Sequence, residues 1–257
     1  MTQSEFRDKV VVVTGAARGL GLGMATRFSQ AGAHAVITDV DAVAGMEAAA
    51  RLRKKDLAVV FEPLDVRVPE QSAAAVVDRL VETFGRIDIW VNNAGISHLG
   101  AAEGLALERW NECIDVMLSG TFYCCQAVGR SMLARGGGVI VNVASCNRNQ
   151  TDRGTGGLQR AQGRRHRPHR AARHRMGRPR HPRRRRGPSR RRDRCGPSGA
   201  EEGHFDIDAC VRRTPLRRLD EVGEIAESVL YIASDETSYI TGETLRVDGG
   251  WVAYQLF

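Results

Sequence analysis

Thr14-Gly15-Ala16-Ala17-Arg18-Gly19-Leu20-Gly21 lies between an apolar run, Val10 to Val13, and a helical pattern, Leu22 to Gln30. The order is strand, glycine turn, helix. Gly15 and Gly19 open backbone conformations closed to other residues and let the chain approach a pyrophosphate. Gly21 lets the helix pack closely on the strand. The helix start presents unpaired N–H groups and the positive end of a dipole to phosphates. The spacing is Gly-x-x-x-Gly-x-Gly, not Gly-x-Gly-x-x-Gly.

Outward from this turn, apolar runs and helical patterns alternate. Ala35 to Thr38 is a second strand, ended by Asp39, and Ala42 to Lys55 a helix. Val59 to Leu64 is a third strand, followed by Asp65-Val66 and a helix over 70–84. Ile87 to Val91 is a fourth strand, closed by Asn92-Asn93-Ala94-Gly95. A long helix is expected over 107–133, broken near Gly104, with Trp110, Ile114, Met117, Leu118 and Phe122 in the core. Val139 to Val143 is a fifth strand, and Ser145 stands just past it.

With its leading Thr14, the glycine turn resembles the cofactor loop of the short-chain dehydrogenase/reductase family, and Asn92-Asn93-Ala94-Gly95 is similar to that family's tetrapeptide after the fourth strand. The resemblance covers roughly 1–146 and 203–257. It implies an α/β fold, a doubly wound parallel sheet of the Rossmann kind, as one domain over 1–257. It implies a dinucleotide held by Gly15, Arg18, Gly19, Leu20, Gly21, Asp39, Asp65, Val66, Asn92, Ala94 and Gly95. Asp39 would accept from both ribose hydroxyls of an adenosine and repel a 2′-phosphate, which favours NAD over NADP. Its other reading is a helix N-cap, since Asp41 and an alanine-rich helix follow. Asp65 would bond the adenine, or else cap the next helix. Ser145 takes the place of the catalytic serine, or is a turn serine. Where the family has an Asn that holds a relay water, Met117 stands, and its side chain cannot do this.

The family next has a Tyr thirteen residues after the Ser and a Lys four further on. A phenol of pKa about 10 must work near neutral pH, helped by an adjacent ammonium and the oxidised nicotinamide. The Ser hydroxyl steadies the substrate oxygen. Here those places hold Leu158 and Gln162, and no Tyr or Lys occurs between Cys124 and Gly203. Over 148–195 the chain has 19 arginines and two acids, Asp152 and Asp193. That local +17, taken from the net +8, leaves the remainder at −9. The protein is therefore mildly acidic with one very basic block. The block lacks apolar periodicity and is expected not to pack, although the family places its catalytic helix and sixth strand there.

A shifted reading frame over 147–202 accounts for this. Read one nucleotide later, the codons for Leu158 and Gln159 permit Tyr, and those for Gln162 and Gly163 give Lys or Arg. Arg165 to Arg170 permit Val-Ile-Gly-Leu-Thr, and Met176-Gly177 forces Trp. Arg180 to Pro188 permit Gly-Ile-Arg-Val, one residue, then Ala-Val-Ala-Pro. The joint order restores the family's Tyr-x-x-x-Lys helix and following strand in register. The rival is a basic arm for nucleic acid or another polyanion, but no aromatic occurs over 124–204 to stack on bases. His166, His169, His174 and His181 lie among arginines that repel a cation, so no metal is expected.

From His204 the family pattern returns. Thr214-Pro215-Leu216 leads into a helix over 222–234, and Tyr239 to Gly242 with Leu245 to Gly250 is expected as the seventh strand and its turn. The resemblance implies an oxidoreductase acting on a small-molecule alcohol or ketone, of sugar/polyol or 3-oxoacyl type. It also implies homo-oligomers, weakened here because one interface uses the helix that begins at the missing Tyr. A non-catalytic dinucleotide-binding protein is the alternative. No apolar run reaches membrane-spanning length, and the polar start, Met1 to Lys9, has no signal-like apolar region. Cys113, Cys124, Cys125, Cys146, Cys195 and Cys210 show no Cys-x-x-Cys spacing and are expected as thiols in a reducing cytoplasm.

Overall fold

The computed structural model describes residues 5–68, 71–98, 102–145 and 207–253. Leu158, Gln162 and the rest of the arginine-rich block lie outside the described residues. Among the described residues five strands form one parallel sheet in the order β3-β2-β1-β4-β5. They are β1 (Val10–Thr14), β2 (His34–Asp39), β3 (Val59–Pro63), β4 (Ile89–Asn92) and β5 (Val139–Asn142). The helices are α1 (Gly19–Gln30), α2 (Ala42–Arg53), α3 (Gln71–Phe84), α4 (Leu107–Ile114), α5 (Gly120–Ala134), α6 (Ile207–Arg213) and α7 (Val222–Ala233).

Every residue of β1 is buried, and all but Thr14 are valine. That is the pattern of a strand covered on both faces. Alternation sends Val11 and Val13 to one core, with Met24, Phe28, Ile37, Ala48 and Leu230. Val10 and Val12 go to the other, with Leu80, Trp90, Cys124 and Val128. The strand order reverses between β1 and β4, so a crevice opens beyond their C-terminal ends.

Two expectations need correction. Helices α4 and α5 are joined by a π-helical turn, Asp115–Ser119. The wider turn shifts the helical phase. Cys113, Val116, Gly120, Cys124, Ala127, Val128 and Met132 are the buried residues, while Trp110, Ile114, Met117 and Leu118 are half-buried and Phe122 is 59% exposed. The buried face is small because it must approach Val66: a Cβ on Gly120 would sit 2.8 Å from the Val66 carbonyl oxygen.

The expected seventh strand is also not formed. Leu245 and Val247 are 48% and 37% exposed and in irregular chain. Among the described residues β5 is the last strand on its side, so 245–247 has no hydrogen-bonding ladder to join. The turn itself is present: Asp248 accepts from the amides of Gly250 (2.9 Å) and Val252 (3.0 Å).

The C-terminal flank docks on the first half of the chain. Ala226, Val229, Leu230 and Ala233 of α7 are buried, and Glu227 pairs with Arg27 of α1. A Cβ on Gly23 would lie 2.1 Å from Val222 Cγ1, so α1 and α7 meet closely there. Lys9 and Asp235 add an ion pair at 2.8 Å.

Candidate dinucleotide site

The crevice is built around Thr14, which closes β1. Its hydroxyl oxygen accepts from the amides of Asn93 and Ala94, each at 3.0 Å. The Asn93 carboxamide donates to the carbonyls of Thr14 (2.9 Å) and Gly15 (3.1 Å). These bonds clamp the glycine turn to the end of β4. Gly15 has φ +62°, and a Cβ there would lie 2.7 Å from Ala94 Cα. A Cβ on Gly21 would meet the Gly15 carbonyl oxygen at 2.4 Å and Asn93 Nδ2 at 2.6 Å. Gly21 is thus required by the turn and Asn93 more than by the strand. Thr14 and Asn93 are two organising residues that sequence reasoning leaves out of the site. Their signal is present, in the Thr before the first glycine and the second Asn of the tetrapeptide.

Arg18 is the extended N-cap residue of α1; its side chain makes no capping bond, and the helix has no acid in its first turn. Leu20 packs against the core. The first amides of α1 are left for an anionic ligand or water.

Asp39 ends β2 and reaches across to the same turn. One oxygen accepts from the Ala17 amide at 3.0 Å and the other from the Asp41 amide at 3.1 Å. The N-cap of α2 is Asp41, which accepts from Ala44 at 3.0 Å, so the capping reading of Asp39 falls away. A carboxylate has about four acceptor positions. Two remain on Asp39, suited to the paired hydroxyls of a ribose. Together with the open amides of α1, these groups fit an adenosine diphosphate.

Asp65 stands beyond β3, half-buried, beside the carbonyl end of β2, where the Leu64 amide donates to Asp39. It does not cap α3. Arg67 donates to it through its amide (3.0 Å), Nε (3.0 and 3.1 Å) and Nη2 (2.7 Å). The guanidinium holds the Asp65 carboxyl below the usual carboxylate range, against a smaller opposing effect of burial. Val66 is buried and pressed against Gly120.

Asn92 is turned into the sheet. It accepts from the Trp90 indole at 2.9 Å and donates to Asn142 at 2.8 Å and to Cys125 Sγ at 3.2 Å. Its carbonyl accepts from Val143 at 2.9 Å. The residue ties β4 to β5 and α5. Ala94 is half-buried and Gly95 exposed at the mouth. Ser145 is exposed just beyond β5. Met117 lies in the π-helical turn, where its carbonyl accepts from Thr121 at 3.0 Å. Cys113, Cys124, Cys125 and Cys210 are free thiols, and burial pushes Cys124 up to about 12. A shallow apolar hollow lined by His34, Arg53, Leu57 and Phe84 lies at the other end of the sheet, away from this site.

Among the described residues no helix is long and apolar enough to cross a membrane. The family model for short chain dehydrogenase matches residues 9–155, and the model described as enoyl-(acyl carrier protein) reductase matches 197–252. Over 143 residues, 55% of each protein, the chain is 43% identical to the D-threitol dehydrogenase of Mycolicibacterium smegmatis, so it spans about half the length of that relative. It is 34% identical to a 3-alpha-(or 20-beta)-hydroxysteroid dehydrogenase of Mycobacterium bovis, over 95% of this chain and 90% of the other. A crystal structure of a short chain dehydrogenase from Bacillus anthracis superposes with a TM-score of 0.76 at 30% identity, covering 97% of this chain and 99% of that one. A parallel sheet with its glycine turn clamped to the fourth strand, and these matches on both sides of the arginine-rich block, establish that this chain belongs to the short chain dehydrogenase family.

Proposed function

We propose that this chain derives from an NAD-dependent oxidoreductase that interconverts a secondary alcohol and a ketone, and that as it stands it binds the dinucleotide without turning it over. The observation that carries the reading is Asp39, held against the glycine turn by the Ala17 amide with two acceptor positions to spare. Those positions suit a vicinal diol, and the negative charge opposes a 2′-phosphate, which favours NAD over NADP. NAD, when bound, supplies the hydride acceptor. The chain's own residues do the rest. The α1 amides meet the diphosphate, Asp39 meets the ribose, and the Ser145 hydroxyl offers a hydrogen bond to a substrate oxygen beyond β5.

The missing part is proton transfer. No Tyr or Lys lies between Cys124 and Gly203 to move a proton at that oxygen. The family matches leave 156–196 unmatched, a gap that falls inside the shifted frame of 147–202 and is in keeping with it. The likeness to a D-threitol dehydrogenase favours a polyol or sugar as the ancestral substrate; a 3-oxoacyl group is the other candidate. The free thiols suit a reducing cytoplasm. The test is calorimetric titration of the folded chain with NAD and NADP. Binding of NAD in preference to NADP, with no reduction when polyols are added, is expected. Equal affinity for the two would remove the role given to Asp39.

A further inference from the structure

The acceptor set of Asp65 contrasts with that of Asp39. Three N–H groups of Arg67 bond it: the amide and Nε on Oδ1, and Nε, shared, with Nη2 on Oδ2. The guanidinium spans both oxygens, so an incoming base meets Arg67 at either one. The same guanidinium has a second partner within reach. Its Nη1 lies 3.6 Å from Glu112 Oε1 of α4, whose other oxygen pairs with His98 at 2.8 Å. Arg67 therefore sits between two carboxylates, one beyond β3 and one on α4.

We propose that Arg67 is a specificity-determining residue of the base subsite: it covers Asp65 in the dinucleotide-free protein and shifts to Glu112 when an adenine amino group claims Asp65. This rests on the dinucleotide reading above. The chemistry distinguishes bases. An adenine presents an amino donor at its 6-position and competes with Arg67 for Asp65. A hypoxanthine presents a carbonyl there, which Asp65 repels and Arg67 can receive. The pair thus narrows the preference for adenine that Asp65 alone would impose. The nicotinamide half of the ligand lies toward β4 and takes no part in this exchange.

Arg67→Met removes the guanidinium donors and keeps an unbranched stem, with the backbone amide on Asp65 unchanged. The probes are ADP-ribose, its inosine counterpart, and nicotinamide mononucleotide, each titrated calorimetrically into the whole chain. Exposed bidentate ion pairs set the scale of the effect at about three- to fivefold. Arg67→Met is expected to tighten ADP-ribose by that factor, to give the inosine compound no gain, and to leave nicotinamide mononucleotide unchanged. Glu112→Gln, which weakens the second partner, is expected to loosen ADP-ribose about twofold with Arg67 present and to have no effect in the Arg67→Met background. ADP-ribose binding that is unchanged or weaker in Arg67→Met overturns the role of Arg67 and leaves the dinucleotide reading standing. Failure of the unmodified chain and both variants to bind ADP-ribose overturns that reading and this one with it.

Discussion

The Asp39 carboxylate accepts a hydrogen bond from the Ala17 amide at 3.0 Å, so the end of β2 and the glycine turn after β1 form one rigid unit. A charge that fixes the turn also faces the space where a ribose would lie. Replacing Asp39 with Ala removes both roles. A hydrogen bond to a charged group is worth about 1.5–3 kcal/mol, so NAD affinity is expected to fall by about tenfold or more. NADP loses less, because a repulsion goes with the carboxylate. The ratio of the two dissociation constants, measured before and after the substitution, checks this. A ratio that does not move would show that Asp39 does not read the 2′-position.

Gly21 is a second point of strict geometry. A methyl group there would meet the Gly15 carbonyl oxygen and Asn93 Nδ2 inside van der Waals distance. Gly21→Ala is expected to cost about 1–3 kcal/mol through overpacking and to weaken ADP-ribose binding by displacing the turn. A methyl group on Gly129 in α5 would meet nothing within 4 Å among the described residues, and Gly129→Ala is expected to be neutral or to gain up to about 1 kcal/mol from helix propensity. Urea unfolding of the two variants separates the cases. Equal losses would mean that the turn is looser than the clamp on Asn93 requires.

The acid limb of stability has a defined contributor. Arg218 hydrogen-bonds Glu224, and with the Glu221 amide it pulls Glu224 down to about 2. The same Glu224 closes a capping box at the start of α7. A carboxyl lowered in the folded state stabilises the protein above its unfolded pKa of about 4.3, and that contribution is lost as pH falls toward 2. The pair is well exposed, so solvent and salt reduce its worth. Glu224→Gln is expected to flatten the fall in stability between about pH 4.5 and 2, read by thermal unfolding at low salt. An unchanged slope would show that other carboxyls carry the acid transition.

The sheet and its helices are legible in the sequence because fully apolar runs and helical spacing leave few alternatives. Val10 to Val13 can only be a central strand, and the glycine turn and Asn92 to Gly95 mark the crevice. The inner face of α5 is not legible: the π-helical turn at Asp115–Ser119 rotates every later side chain, so Cys124 and Val128 are buried and Phe122 is not. Leu245 to Val247 is expected as a strand from its resemblance to the family's C-terminal pattern, but a strand needs a neighbour, and β5 is the last one on that side among the described residues. Arg67 carries no signal at all. Its importance comes from Asp65 and Glu112, which are 47 residues apart in the chain and meet only in the fold.

A dinucleotide-binding half joined to a block without the proton-transfer Tyr and Lys should hold NAD and leave it unreduced. The direct measurement compares turnover of this chain with that of the protein translated from the shifted frame across 147–202, both given NAD and a panel of polyols, sugars and secondary alcohols. A placed acid–base side chain is worth roughly 10²–10⁴-fold, and misplacement of the reacting groups can cost about 10²-fold more. The shifted-frame protein is expected to reduce NAD with at least one alcohol, and this chain with none. Equal turnover by the two would contradict it.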